Sequence, residues 1–181
     1  IWQVGNHRIM CGNNATDLPT LMDGALGHMV VTSPPYNQDI QSFKASGMHN
    51  EPGRDGWVKR MASAYMDSKD EDEYRQEQLA LLLELAHHMV PNGSIFYNHK
   101  IRYRDKHILS PLEWLLELPF PIRQEIIWSR KMGIAMNARM LIPTDERIYW
   151  IRTGDDFTFH DDTEIKSWTT VWEFPAKNEY Q

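Results

Sequence analysis

The sequence has 181 residues, of which 41% are hydrophobic and 11% aromatic, and its formal net charge is −6. This length suits one domain with a core of its own. The acidic balance is not that of a dedicated nucleic-acid-binding module, so any contact with phosphates must come from local patches. One cysteine excludes a disulfide framework and fits a reducing compartment. No apolar run reaches the roughly 20 residues that cross a bilayer, and no signal peptide is visible, which predicts a cytoplasmic protein.

The amino-terminal segment predicts a strand followed by a helix. Residues 7–12 form the strand, on which Cys11 is expected as a small buried residue. The helix covers residues 17–26, with Thr16 or Asp17 as its N-cap. Its leucines fall near helical spacing, so the helix is expected to pack on a sheet.

A second strand, residues 29–33, runs directly into Pro34 and Pro35. Its apolar, partly β-branched residues predict a buried strand. Each proline fixes its own φ and has no N–H, and the residue before Pro34 is forced towards an extended conformation. The result is a stiff ledge with a hydroxyl, bare carbonyls and the Tyr36 ring. In open α/β sheets, ligands bind at such strand ends.

The middle of the chain predicts a long loop, a helix and a strand. Residues 37–66 sustain no period of 2 or 3.6, which predicts a functional loop that leaves from the ledge. Residues 67–90 carry an apolar stripe after an acidic start, which predicts a helix capped by Asp67 or Ser68. The strand at residues 94–98 follows, and this strand–helix–strand order predicts a parallel pair.

The remaining pattern predicts one more helix and three extended segments. The helix covers residues 110–118, with Ser110 as its cap and Pro111 at its first position. The extended segments are residues 122–130, 147–152 and 168–174. The first two are expected to pair as an antiparallel hairpin.

The motif Thr32-Ser33-Pro34-Pro35-Tyr36 resembles the (D/N/S)-P-P-(Y/F) motif of S-adenosylmethionine-dependent methyltransferases that act on exocyclic amino groups of DNA bases. Flanking segments resemble the permuted, β-class members of that family in the same order; they are residues 7–13, 85–95, 125–128 and 146–151. The resemblance implies an α/β fold with a Rossmann-like sheet, mostly parallel with an antiparallel closing hairpin and here incomplete.

By this resemblance, Ser33, Pro34, Pro35 and Tyr36 are the catalytic residues. An exocyclic amine is a poor nucleophile because its lone pair is delocalised into the ring. Hydrogen bonds from the amine to Ser33 Oγ and the Pro34 carbonyl would favour the geometry of attack, while Tyr36 would stack on the flipped base. The scheme requires no metal. The alternative for these residues is a strand that simply ends in a rigid turn.

The identity of the methyl acceptor stays open at this point. Ser at the first motif position is commoner among enzymes that make N4-methylcytosine, and Asp among those that make N6-methyladenine, so Ser33 favours cytosine. Adenine N6 is the alternative, and so is a non-catalytic DNA-binding relative. A related Asn-Pro-Pro-Tyr form serves methyltransferases of glutamine side chains or RNA.

S-adenosylmethionine is the implied cofactor, and the resemblance assigns Asn13, Thr32 and Ser33 to its binding. Asn13 follows Gly12 where the family usually has Asp, so a simple turn is its alternative reading. The family's F-x-G-x-G-like turn is absent from the sequence. We therefore expect residues 1–181 to be the target-base part of one methyltransferase domain, with the cofactor-binding part beyond residue 181 and exposed apolar area on the sheet.

Two basic clusters are candidates for contact with DNA phosphates, although charged loops are common. The candidate residues are Lys100, Arg102, Arg104, Arg130, Lys131 and Arg139. The resemblance implies double-stranded DNA as the partner of a bacterial or phage-encoded restriction–modification enzyme, and it leaves a homodimer open.

Overall fold

A computed structural model describes residues 1–38, 68–131, 139–159 and 168–174. Their elements, in chain order, are β1 (Trp2–Val4), β2 (His7–Ile9), α1 (Leu18–Met22), β3 (Gly27–Thr32), α2 (Glu71–His87), β4 (Met89–His99), β5 (Arg102–Arg104), β6 (His107–Leu109), α3 (Pro111–Leu115), β7 (Ile122–Ser129), β8 (Asp145–Arg152) and β9 (Val171–Glu173). The loop predicted over residues 37–66 lies almost wholly outside the described residues.

Five strands form one mixed sheet in the order β3-β4-β8-β7-β9. β3 and β4 are parallel, and so are β7 and β9. β8 is antiparallel to both of its neighbours, β4 and β7. The predicted parallel unit and the predicted closing hairpin are therefore confirmed. Parallel and antiparallel pairings are equally frequent in the part of the sheet that the structure describes.

The core lies between one face of this sheet and the helices α2 and α3. Side chains alternate across a strand, so Ile95 and Tyr97 of β4 point to this face, as do Tyr149 and Ile151 of β8, each 0% exposed. The helices contribute Leu82, Trp114 and Leu115. Full burial of a side chain of this size contributes about 1.5–3 kcal/mol relative to exposure. This layer is the main hydrophobic contribution among the described residues.

The opposite face is apolar and open at its β3 edge. Met29 and Val31 are 63% and 72% exposed, whereas Val30 between them packs against the core. Within the described chain β3 has a strand neighbour on one side only. The expectation of exposed apolar area on the sheet is confirmed.

Helix α2 is capped by Asp70. Its carboxylate accepts hydrogen bonds from the backbone N–H groups of Asp72 and Glu73. Ser68 is therefore not the cap, and Asp67 lies outside the described residues. No helix in the described ranges is long and apolar enough to cross a membrane.

Two boundaries near α2 and β4 differ from the sequence prediction. The helix ends at His87 rather than residue 90, because Met89 is already paired with Gly27 in the sheet. After β4 the chain forms the small hairpin β5–β6, whose turn residues Asp105 and Lys106 have φ of 50° and 67°. Positive φ at both central residues is the geometry that two-residue hairpin turns favour.

The amino-terminal strand is confirmed, but the prediction for this segment is wrong in two other respects. The strand is β2, which pairs with β1 in a separate two-stranded sheet. Helix α1 ends at Met22 and buries no residue, because Asp23 and Gly24 adopt left-handed backbone conformations with φ of 51° and 79°. Cys11 is exposed and not buried.

We expect Asp70→Ala to lower the free energy of unfolding by about 1 kcal/mol, because two backbone N–H groups lose their acceptor. Chemical denaturation followed by circular dichroism measures this change. Asp72→Ala is the matched control, since it removes the same charge from the first turn while its side chain is 90% exposed. Equal losses in the two variants would contradict the capping role.

Candidate active site

The motif residues 33–36, here called the ledge, leave the sheet at the carboxyl end of β3. Thr32, the last residue of β3, is in register with Tyr97 of β4. The residue after Thr32 is Ser33 and the residue after Tyr97 is Asn98, so Ser33 and Asn98 are neighbours. The ledge therefore lies at the carboxyl ends of two parallel strands, where the sequence predicts a ligand site.

Four side chains at this end of the sheet form a hydrogen-bonded group that we call the ledge network: Ser33, Tyr36, Asn98 and Glu146. Ser33 Oγ lies 2.6 Å from Tyr36 Oη. Tyr36 Oη donates to Glu146 Oε2 at 3.1 Å. Asn98 Nδ2 donates to Tyr36 Oη and to Glu146 Oε2, each at 2.8 Å, while Ser33 Oγ is farther away at 3.4 Å.

Glu146 reaches the ledge from the start of β8. Its side chain is 9% exposed, and its second oxygen, Oε1, lies 3.3 Å from Arg130 Nη1. A buried carboxylate is costly unless it is paired and hydrogen-bonded. Both oxygens of Glu146 have partners, so a charge-balanced carboxylate is fixed next to the ledge.

Tyr36 holds its proton in this setting. Burial raises the pKa of its phenol well above the ordinary value, and the Glu146 charge acts in the same direction. The hydroxyl therefore has a hydrogen to donate near neutral pH. The centre of its ring lies 4.9 Å from that of His99, with the two planes tilted by 39°. That Tyr36 also stacks on a base remains a prediction.

The ledge is anchored from below by two buried side chains. The Tyr74 hydroxyl lies 2.7 Å from the Pro35 carbonyl and 2.7 Å from His99 Nε2, two acceptors that share its single hydrogen. His99 Nδ1 lies 2.7 Å from the Lys100 carbonyl, which can only accept. His99 is 0% exposed, and burial lowers its pKa to about 3. The imidazole is thus neutral, with its hydrogen on Nδ1.

Asn37 fixes the chain directly after the ledge. Its φ of 52° is left-handed, a conformation that Asn tolerates better than most residues. Its side chain accepts from the Lys69 N–H at 2.7 Å and donates to the Lys69 carbonyl at 3.1 Å. Its own carbonyl accepts from Arg102 and Arg104. Residues 37 and 69 are therefore held together.

The first basic cluster is partly structural. Arg102 is 7% exposed, and its guanidinium binds the Glu71 carboxylate through two hydrogen bonds of 2.5 and 2.7 Å. Arg102 and Arg104 together lower the pKa of Glu71, against the opposing effect of its burial. Arg104 is more exposed and lies 3.7 Å from Glu71. This geometry does not support a phosphate contact by Arg102.

Two of the other basic candidates, Arg130 and Lys100, lie next to the ledge network. Arg130 is paired with Glu146, and Lys100 is half-buried, so burial and the neighbouring Arg130 charge lower the pKa of Lys100. Lys131 is 55% exposed and lies 3.7 Å from Glu173. Arg139 is exposed. Phosphate contacts by these residues remain predictions.

Asn13, Thr32 and Ser33 are the predicted cofactor residues, and the structure brings only Thr32 and Ser33 to the ledge. Asn13 lies in a local turn: its N–H donates to Asp17 Oδ2 and its Oδ1 accepts from Ala15. A Cβ on Gly12 would lie 2.4 Å from Asp17 Oδ2, so this turn is filled by the carboxylate. Asn13 Nδ2 and the second lone pair of its Oδ1 remain to bind an adenosine.

Four residues of the site escaped the sequence analysis: Tyr74, Asn98, His99 and Glu146. Asn98 and His99 end the strand that pairs with β3, which is a usable signal because parallel strands share a carboxyl edge. Glu146 is the second residue of the hairpin strand β8 and lies within a segment that resembles the family. Tyr74 offers no local signal, since it lies on the apolar stripe of α2.

Comparison with known proteins identifies the family. A family model described as DNA methylase, N6_N4_Mtase, matches residues 27–178. No curated protein sequence matches the chain significantly. Among solved structures, the PvuII DNA methyltransferase (cytosine-N4-specific) is similar with a TM-score of 0.59 and 13% identity, over 89% of this chain and 56% of that one.

Two further structures are similar in fold. TTHA0409 of Thermus thermophilus, described as a DNA modification methylase and solved with S-adenosyl-L-methionine, has a TM-score of 0.54 and 19% identity, over 93% of this chain and 71% of that one. The M1.HpyAVI–SAM complex has a TM-score of 0.50 and 14% identity, over 90% and 64%. The Rossmann-like methyltransferase fold is confirmed. The chain spans little more than half of the PvuII enzyme.

We expect acidification to destabilise the fold through His99. Its pKa is about 3 in the folded protein against an ordinary 6.5, so below pH 6.5 the unfolded chain binds a proton that the folded protein does not. The free energy of unfolding should fall by up to about 1.4 kcal/mol per pH unit. Glu71 adds to this loss only below its ordinary pKa of 4.5.

Denaturation curves between pH 7 and pH 4.5 test this slope in the wild type and in His99→Gln. The variant should be less stable at pH 7 but should show a shallower pH dependence. His107→Gln, at an exposed position, is the matched control. Parallel pH dependences in the wild type and His99→Gln would show that His99 is not the titrating group.

Proposed function

Because this chain belongs to the DNA methylase family, we propose that it carries the target-base site of an enzyme that methylates an exocyclic amino group in DNA. The methyl donor is S-adenosylmethionine, and the favoured acceptor is cytosine N4 in a flipped base. The observation that carries the proposal is the exposed Ser33 hydroxyl at the carboxyl end of β3, with Tyr36 Oη 2.6 Å away on its inner side.

The ledge suits an amino group because it presents acceptors. Ser33 is exposed and offers Oγ, and the carbonyl of Pro34, a buried residue that accepts no backbone hydrogen bond from the described residues, would be the second acceptor. Two hydrogen bonds from an NH₂ group to these oxygens would draw its nitrogen out of conjugation and orient its lone pair. Fixed dipoles of this kind act mainly by positioning and by electrostatic stabilisation.

The amino group of a paired base is engaged in the duplex, so the base must leave the stack to reach Ser33. Stacking on an aromatic ring returns part of that energy, about 1–3 kcal/mol per base. Tyr36 is the ring at the ledge, and its hydroxyl is tied to Glu146. This attachment supports a ring with a fixed orientation.

S-adenosylmethionine, when bound, supplies the methyl group from its sulfonium. In this chain Thr32 and Ser33 would hold the part near the ledge, and Asn13 Nδ2 would meet the adenosine. The Gly12 turn does not fit the cofactor, because Asp17 occupies it. We assign the target-base part of one methyltransferase domain to residues 1–181.

Cytosine is favoured over adenine because Ser33 stands at the first motif position. Adenine N6 is the second candidate, since the family model covers both acceptors by its designation. A non-catalytic DNA-binding relative would keep the ledge without transferring methyl groups. Mass analysis of nucleosides from treated DNA separates the first two, and the absence of any labelled methyl group in DNA would indicate the third.

We expect Ser33→Ala in the full-length protein to reduce methyl transfer to DNA about 100-fold or more, because one fixed acceptor for the amine is lost. Transfer of labelled methyl from S-adenosylmethionine measures the effect, and N4-methylcytosine is the expected product. Ser68→Ala, at an exposed serine, should retain full activity. Wild-type activity in Ser33→Ala would remove the ledge from the mechanism.

We expect Lys131→Ala and Arg104→Ala each to weaken DNA binding and to reduce the slope of log K against log salt by about 1. Titrations at several salt concentrations give this slope. Arg75→Ala is the matched control, since Arg75 lies on α2 and is paired with Glu117. Slopes that match the wild type in both test variants would exclude these two residues as phosphate contacts.

A further inference from the structure

We propose that Glu146, acting through Tyr36, positions the hydroxyl hydrogen of Ser33 and accepts the proton that the methylated amine must lose. This inference rests on the proposed function and adds a positioning residue and a proton path to it. Its basis is the ledge network, in which Ser33, Tyr36 and Glu146 lie in sequence at 2.6 and 3.1 Å.

The number of hydrogens in the network fixes the direction of each bond. The Glu146 carboxylate can only accept, and a bond to a charged acceptor is stronger than a neutral one. The single Tyr36 hydrogen therefore points to Glu146 Oε2. The bond between Ser33 and Tyr36 then needs the Ser33 hydrogen. Ser33 Oγ is left with lone pairs on its exposed side, where the amine arrives.

Asn98 reinforces this direction. Its two amide hydrogens point to Tyr36 Oη and Glu146 Oε2, both at 2.8 Å, so Ser33 at 3.4 Å receives little from it. Tyr36 Oη thus accepts from Asn98 and from Ser33 and donates only to Glu146. Reversing the direction of these hydrogen bonds would require Glu146 to become a donor.

The same path balances the protons of the reaction. As the amino nitrogen bonds to the methyl carbon, the carbon–sulfur bond of the donor breaks and its electron pair stays on sulfur. The nitrogen is left with a positive charge and one proton too many. That proton passes to Ser33 Oγ, the Ser33 proton passes to Tyr36 Oη, and the Tyr36 proton passes to Glu146. Glu146 ends as a neutral acid, and the two hydroxyls are restored.

The charged and titratable groups facing Glu146 are consistent with this role. Tyr36 lies on the ledge side, Arg130 at the end of β7 is paired with Oε1, and the Lys100 and Asp145 charges act on the same region. Burial raises the pKa of Tyr36 well above its ordinary value, so Tyr36 conducts a proton without becoming an anion near neutral pH. His99, under the Tyr36 ring, is neutral.

Two variants of the full-length protein test the proposal. Glu146→Gln keeps the shape but offers a donor to Tyr36, which turns the Ser33 hydrogen outward against the amine. Tyr36→Phe keeps the ring and removes the connection. We expect kcat for DNA methylation to fall at least tenfold in each, with KM for DNA changed less than threefold, since acid–base effects typically contribute 10²–10⁴-fold. The acid limb of the kcat–pH profile should disappear in Glu146→Gln.

Glu125→Gln is the matched control, because it removes the same charge from neighbouring β7, where Glu125 faces Arg147. It should leave kcat and the pH profile unchanged. DNA binding by fluorescence anisotropy verifies that each variant is folded. If Glu146→Gln does not fold, the result for Tyr36→Phe alone decides the test. Wild-type kcat in Tyr36→Phe, or an intact acid limb in a folded Glu146→Gln, would overturn the proton path. A wild-type protein that transfers no methyl group to DNA would instead overturn the proposed function itself.

Discussion

The antiparallel entry of β8 beside β4 is the constraint on which the candidate site depends. β3 and β4 run parallel and end together, which places Ser33 next to Asn98. β8 runs the other way with Ile148 opposite Asn98, so its first residues lie at that same end. Glu146 is two residues before Ile148 and shares its face of the sheet. A shift of one residue in this register would turn Glu146 towards the helices and break the hydrogen bonds of the ledge network.

The ledge is rigid because different elements hold it from its two sides. Tyr74 of α2 binds the Pro35 carbonyl beneath it, and Glu146 of β8 binds Tyr36 above it. Asn98 Oδ1 is buried and has no hydrogen-bond partner among the described residues, which costs about 1–3 kcal/mol for such a group. Rotating the Asn98 amide by 180° would not give it more hydrogen bonds, since it would place Oδ1 2.8 Å from a carboxylate oxygen of Glu146. The Glu146 charge therefore dictates how Asn98 is oriented.

Local signals in the sequence account for the parallel unit, the closing hairpin and the ledge. Apolar runs and consecutive prolines act over a few residues, so they can be recognised without tertiary information. The pairing of β2 cannot be recognised in this way. Gly5, with φ of 59°, closes a hairpin in which β1 pairs with β2, separately from the main sheet. The cap of α2 also cannot be identified from local sequence alone. Several cap-competent residues precede the helix, and the contact between Asn37 and Lys69 places Asp70 at the cap.

The partners Asn98 and Glu146 could be found only through strand register. A polar residue at the end of a strand carries no local mark of function, and the two are 48 positions apart in the chain. Their meeting depends on the pairing of β4 with β8, which the hairpin prediction alone does not determine. The motif and its family resemblance locate the site, whereas the register supplies its second half.

Burial explains how an acidic chain can still offer cations to DNA. Arg102 is buried and its partner Glu71 is 25% exposed, so removing Glu71 would leave a buried guanidinium without its charge partner, and a phosphate cannot readily replace Glu71. The Lys131–Glu173 pair is exposed, and exposed pairs contribute only about 0–1 kcal/mol. A phosphate can therefore replace Glu173 as the partner of Lys131 at a small cost in free energy. The exposure of each ion pair, and not the net charge of −6, decides which cations are available beside the ledge.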